Sequence, residues 1–172
     1  MRKIFFVLTI VLILSGCKVA TEVYEGTELK IAIVGEKPII KEKNIDFSVF
    51  ELQEIERNVK EISNNYDALF IMPEKFSEAD DDIYVKTYEE LTIPTFFIET
   101  TKLHLPFTIE GMTYESAPNL KGETAFVAGY LFSGTVDEYK DDAWKFYLKN
   151  NKKNDVNVQS VYTEIFKIIE GL

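Results

Sequence analysis

The chain has 172 residues, a formal net charge of −10, one cysteine and one histidine. That length suffices for one domain burying roughly two-thirds of its unfolded surface, and the acidity leaves no basic stripe to replace phosphate counterions, so nucleic acid is not an expected partner. A single thiol and a single imidazole exclude an internal disulfide and ordinary zinc spacing, and no metal or cofactor is expected.

The chain opens on Met1-Arg2-Lys3, continues as an uncharged apolar run from Ile4 to Leu14, and reaches Ser15-Gly16-Cys17. A cationic start, an apolar stretch and small residues before a cut site are the physical pattern of an export signal. The run is too short to span a bilayer, which takes roughly 20 residues. Leu14-Ser15-Gly16-Cys17 resembles the lipobox of bacterial lipoproteins. The resemblance implies a signal peptide over 1–16, cleavage before Cys17, and lipid on Cys17 as the link to the membrane. It places the protein on the extracytoplasmic face of the cell membrane. Stable attachment of this kind takes at least two acyl chains.

Lys18–Glu28 has no apolar period, so 17–28 is read as a lipidated cysteine and polar tether, and 29–172 as a single α/β domain. Leu29–Gly35 is a β-rich apolar run closed by glycine; Asp67–Pro73 and Pro94–Ile98 are two more. Nearly continuous apolar runs of this length fit strands buried on both faces of a parallel sheet. Between the first two, Ser48-x-x-Glu51 reads as a capping box, with Phe47 and Leu52 placed as a hydrophobic staple. Leu52, Ile55, Val59 and Ile62 then recur at helical spacing. Ser77-x-x-Asp80 opens a second helix, with Ile83, Tyr84, Thr87, Tyr88 and Leu91 as its inner face. The order β-α-β-α-β predicts right-handed crossovers and an open, mainly parallel sheet.

The C-terminal third changes character. Thr100–Gly122 is irregular, broken by Pro106 and Pro118, with room for a short helix. Thr124–Phe132 is apolar and aromatic, and Trp144, Phe146 and Leu148 alternate with Lys145, Tyr147 and Lys149. The two runs predict an antiparallel strand pair. Val158, Val161, Tyr162, Ile165, Phe166 and Ile169 predict a final amphipathic helix ending near Gly171.

Asn65–Pro73 followed by Ile93–Ile98 resembles successive βα units of type I periplasmic solute-binding proteins, over residues 29–98. That resemblance implies one lobe of a solute-binding fold. In open parallel sheets ligands bind beyond the carboxyl ends of the strands. Those ends carry Lys37, Glu74, Glu99 and Thr101, whose charges and hydroxyl suit a small polar solute or an anion.

No catalytic constellation is recognisable. His104 stands in Leu-His-Leu-Pro with no nucleophile elbow in the chain, and Gly35-Glu36-Lys37-Pro38 lacks the glycines of a dinucleotide loop. Glu78–Asp82 lacks the turn glycine and distal glutamate of a calcium loop and suits a helix N-terminus. Asp137, Glu138, Asp141 and Asp142 read as a solvated loop. The expectation is a non-enzymatic, membrane-tethered domain that binds another extracytoplasmic protein, with Tyr147 as an exposed aromatic anchor. The alternative is a solute-binding or sensing domain with its site at the strand ends.

Overall fold

The computed structural model describes residues 21–119, 124–135 and 138–172; Cys17 and Asp137 lie outside them. The strands are β1 (Leu29–Val34), β2 (Ile45–Val49), β3 (Ala68–Ile71), β4 (Thr95–Ile98), β5 (Val127–Phe132) and β6 (Asp141–Phe146). The helices are α1 (Leu52–Arg57), α2 (Val59–Asn65), α3 (Phe76–Ala79), α4 (Val85–Glu90), α5 (Leu105–Thr108) and α6 (Asp155–Glu170). The strands form one sheet in the order β2-β1-β3-β4-β5-β6. Pairing is parallel from β2 to β4 and antiparallel across β4, β5 and β6. The protein is therefore α/β, with a mainly parallel sheet, a C-terminal antiparallel pair and a closing helix.

Side-chain alternation divides the core into two layers. Ile31, Ile33, Phe70, Phe96 and Phe146 face α6, which contributes Val161, Tyr162, Ile165, Phe166 and Ile169. Val34, Leu69, Ile71, Phe97 and Tyr130 face the other way, onto Leu52, Ile55, Val59 and Ile62 and the short helices after β3. The period-2 rule in strands and the 3.6 period in α6 produce this division directly.

β2 was not expected. It pairs parallel with β1 at the sheet edge, Ile31 opposite Phe47, and only Phe47 of its residues is buried. Ser48 therefore lies in a strand and caps nothing. α1 starts one turn later, on Glu51, whose backbone N–H donates to the Glu54 carboxylate at 2.8 Å. The stripe Leu52, Ile55, Val59, Ile62 is buried as its spacing predicts, but the helix breaks at Asn58, whose φ of −124° leaves the helical region. The expected second helix is likewise divided. Ser77 lies inside α3, Asp81 caps a short 3₁₀ turn by accepting from the Ile83 N–H, and Ile83 itself is 63% exposed. The irregular stretch holds one short helix, α5.

Within the expected tether, Tyr24 is packed while Glu25–Glu28 stay exposed. Tyr24 is only 2% exposed and lies in the α6 layer, its ring 5.9 Å from that of Phe166. Its N–H donates to Glu42, and the Thr27 N–H donates to Glu170. Tyr24 joins the core against Phe166 of α6, a contact that no local periodicity announces.

Candidate functional site

The strand order reverses between β1 and β3: from β1 the chain moves outward to β2, then returns to β3 on the other side. Loops leaving two such strands diverge, which opens a crevice above their carboxyl ends. Here that crevice is a groove of about 680 Å³. Pro38–Lys41 form one wall, Met72 the floor, Glu99 and Lys153 one end, and Asp155, Val158, Gln159 and Tyr162 of α6 the second wall. The volume falls within the roughly 300–1,000 Å³ typical of small-molecule sites.

Each wall is fixed by bonds distant in sequence. Gly35 turns the chain out of β1 at φ +113°, and a Cβ there would lie 2.6 Å from that of Met72. The Glu36 N–H donates to Glu74 at 2.6 Å, and the Lys41 N–H donates to Gln159 at 3.0 Å. Behind the loop, the buried Glu42 carboxylate accepts from the Gln159 amide at 2.7 Å, the Thr163 hydroxyl at 2.9 Å and the Tyr24 N–H at 3.2 Å. The carboxylate is solvated by these neutral donors. On the far side, the Asn157 amide donates to the carbonyls of Lys149 and Lys152, fixing the loop that enters α6.

Two features of the groove are not explained by folding alone. Glu99, the residue after β4, adopts φ +58°, a left-handed conformation that strains a non-glycine residue. Such strain collects at ligand sites, where the surrounding structure holds it in place. The second feature is Tyr162. The residue is 3% exposed, yet its hydroxyl has no hydrogen-bond partner among the described residues. Every fully buried side-chain polar atom there is paired, so this hydroxyl reaches the open space of the groove. Burial holds the phenol well above its usual range and the Glu99 carboxylate adds to the effect, so it stays protonated and able to donate. Lys153 donates to Glu99 across the end of the groove. That pair is largely solvated, and surface pairs of this kind contribute about 0–1 kcal/mol, so an incoming charge can part it cheaply.

The four strand-end residues singled out in the sequence do not converge. Glu99 lines the groove. Lys37 donates to the Phe47 carbonyl on the edge strand at 2.5 Å. Glu74 is engaged with the Glu36 N–H. Thr101 donates its N–H to the Tyr114 hydroxyl at 2.9 Å and belongs to a neighbouring depression with Thr124, Leu148 and Asn151. The groove residues not foreseen, Met72, Lys153 and Tyr162, come from segments whose patterns signal only strand, loop and helix core. Tyr147 is 41% exposed at the end of β6 and lines a separate groove with Thr21 and Val156.

The lone histidine is accounted for by packing. His104 is buried, stacks on Tyr130 at 5.1 Å, and places Nε2 3.5 Å from Asp141. Burial lowers its pKa; Asp141 opposes this and Lys145 assists it. Among the described residues no cluster of His, Cys, Asp or Glu could hold a metal ion.

Residues 1–17 match the prokaryotic membrane lipoprotein lipid attachment site. No curated protein and no solved structure matches the chain. The likeness of residues 29–98 to type I periplasmic solute-binding proteins thus rests on the βα pattern alone. No helix among the described residues is long and apolar enough to cross a membrane.

Proposed function

Since the chain is a lipid-anchored membrane lipoprotein, we propose that its domain is a non-enzymatic binding module on the extracytoplasmic side, which holds a small amphipathic solute in the strand-end groove. The observation that carries this reading is the Tyr162 hydroxyl, a protonated donor on an otherwise buried residue, open to a groove at the topological switch point. Glu99 and Lys153 offer one charge of each sign at one end of the groove, while Met72, Val158 and Ile39, itself 98% exposed at the rim, offer apolar contact. A zwitterionic head with an apolar body matches that arrangement, which is the chemistry of an apolar amino acid or short peptide. The exposed aromatics Tyr139 and Tyr147 stand at opposite ends of β6 and form no single patch, so a protein-docking surface has less support.

The test is calorimetric titration of leucine, phenylalanine and their dipeptides into the folded protein, wild type and Glu99→Gln. Saturable binding that weakens in the variant is expected. No heat with any of these probes, or equal affinity in both proteins, would remove the basis for this reading.

A further inference from the structure

A second groove, of about 730 Å³, lies on the other side of the α6 N-terminal half, between that helix and the end of β6. Thr21, Tyr147, Lys149, Val156 and Val161 are among the residues lining it. Tyr147 and Val156 are 41% and 44% exposed, large apolar surface that the fold leaves uncovered.

Thr21 stands four residues after Cys17. At roughly 3.3–3.6 Å per residue, that link reaches no further than about 14 Å. A domain of this size has a radius of gyration of roughly 15 Å. A tether no longer than the radius does not let the domain turn its far side to the lipid, so the surface carrying Thr21 is held against the bilayer.

The charge on that surface agrees. Lys149 lines the groove, and Lys152 follows it in the loop that the Asn157 amide holds against the start of α6, in a chain of net charge −10. Basic clusters beside an anchor are drawn to anionic headgroups, and tyrosine suits the interface because its ring is apolar and its hydroxyl polar. The carboxylates on the groove are Glu22 and Glu164, and Glu22 accepts from Lys167. From reach, exposed apolar surface and charge together, we infer that the groove bounded by Tyr147, Lys149 and Val156 is the face that lies on the membrane, seated in an anionic headgroup layer. This inference rests on the lipid attachment at Cys17 and not on the solute site.

The experiment uses the full lipidated protein in phosphatidylethanolamine–phosphatidylglycerol vesicles. Cys17 is the only cysteine and its sulfur is occupied by lipid, so Tyr147→Cys, Val156→Cys and Ile83→Cys each give one site for a fluorophore. Ile83 is exposed on the layer away from α6 and serves as the reference. Spin-labelled lipid should quench the labels at positions 147 and 156 at least threefold more than the label at position 83. Equal quenching at the three positions, or strongest quenching at 83, would overturn the assignment. Replacing Lys149 and Lys152 with Glu should reduce quenching at 147 in these vesicles but not in pure phosphatidylcholine. Unchanged quenching in the anionic vesicles would overturn the part assigned to the lysines.

Discussion

The two faces of the sheet are covered in different ways, and function follows the difference. One face is closed by α1–α5, short helices whose breaks are filled with rings: Phe97 and Phe107 stack at 3.9 Å, and Phe76 packs on Phe107 at 5.1 Å. The other is covered by the single 16-residue α6, the loop after β1 and the N-terminal segment. These meet along polar seams: Glu42 with Gln159 and Thr163, Lys41 with Gln159, Thr27 with Glu170. The ring-filled layer keeps only a smaller depression of about 390 Å³ along α1 and α2, lined by Phe50, Asn58 and Tyr66 among others. A layer assembled from three separate segments leaves grooves at their joints, and both grooves flanking α6 are of that kind.

The largest expected effect tests the ring-filled face. Phe107 is fully buried between Phe97 and Phe76, and Phe107→Ala should cost about 3–5 kcal/mol in urea denaturation. A loss below 1 kcal/mol would show that the layer is not close-packed. On the α6 face, Glu42→Ala should cost about 1–3 kcal/mol, because it takes the carboxylate from the buried Gln159 amide and the Tyr24 N–H. If Glu42→Ala proves neutral, the polar seam is not what holds the loop to α6, and the contrast between the faces weakens.

A smaller effect separates β2 from the helix start that its sequence imitates. Glu54→Ala removes the acceptor of the Glu51 N–H and should cost about 0.5–1 kcal/mol, whereas Ser48→Ala should stay within about 0.5 kcal/mol of wild type. The reverse ranking in denaturation would return the cap to Ser48.

The pH response belongs to the edge where the ring-filled layer meets β6. Burial lowers the pKa of His104 in the folded state, so below the ordinary value of about 6.5 the unfolded chain binds more protons. The contribution is fully present above that pH and is lost as pH falls through the window beneath it. Stability of wild type relative to His104→Gln should fall from pH 7 to pH 5.5; a difference that is constant or grows would contradict the burial argument.

Much of this architecture was legible because it is local. Leu29–Val34, Ala68–Ile71 and the α6 stripe from Val161 to Ile169 carry their burial in their apolar pattern, and the structure buries them as spaced, with Val158 partly buried at the stripe's start. Trp144, Phe146 and Leu148 turned inward as alternation predicts, although Trp144 is only half-buried against Phe96. β2 was illegible because an edge strand needs little apolar surface: Asp46 and Ser48 interrupt it, and Ser48-x-x-Glu51 imitates a helix cap. The site was less legible still. Glu99 could be placed by topology, but its contact with Lys153 spans 54 residues, and Gln159 reaches Glu42 across 117. Tyr162 follows the helical period so well that it reads as core; only its hydroxyl sets it apart, and no pattern shows where a hydroxyl points.

The binding account turns on that hydroxyl, and Tyr162→Phe tests it with two readings on one variant. Because the group has no protein partner among the described residues, urea denaturation of Tyr162→Phe should match wild type within about 0.5 kcal/mol. Calorimetric affinity for the apolar amino acids and dipeptides should fall about tenfold, the equivalent of one lost hydrogen bond of about 1.4 kcal/mol. Unchanged stability with weakened binding is the predicted result. A destabilised domain, or an affinity that does not change, would mean that Tyr162 is ordinary core and that the groove is not a site.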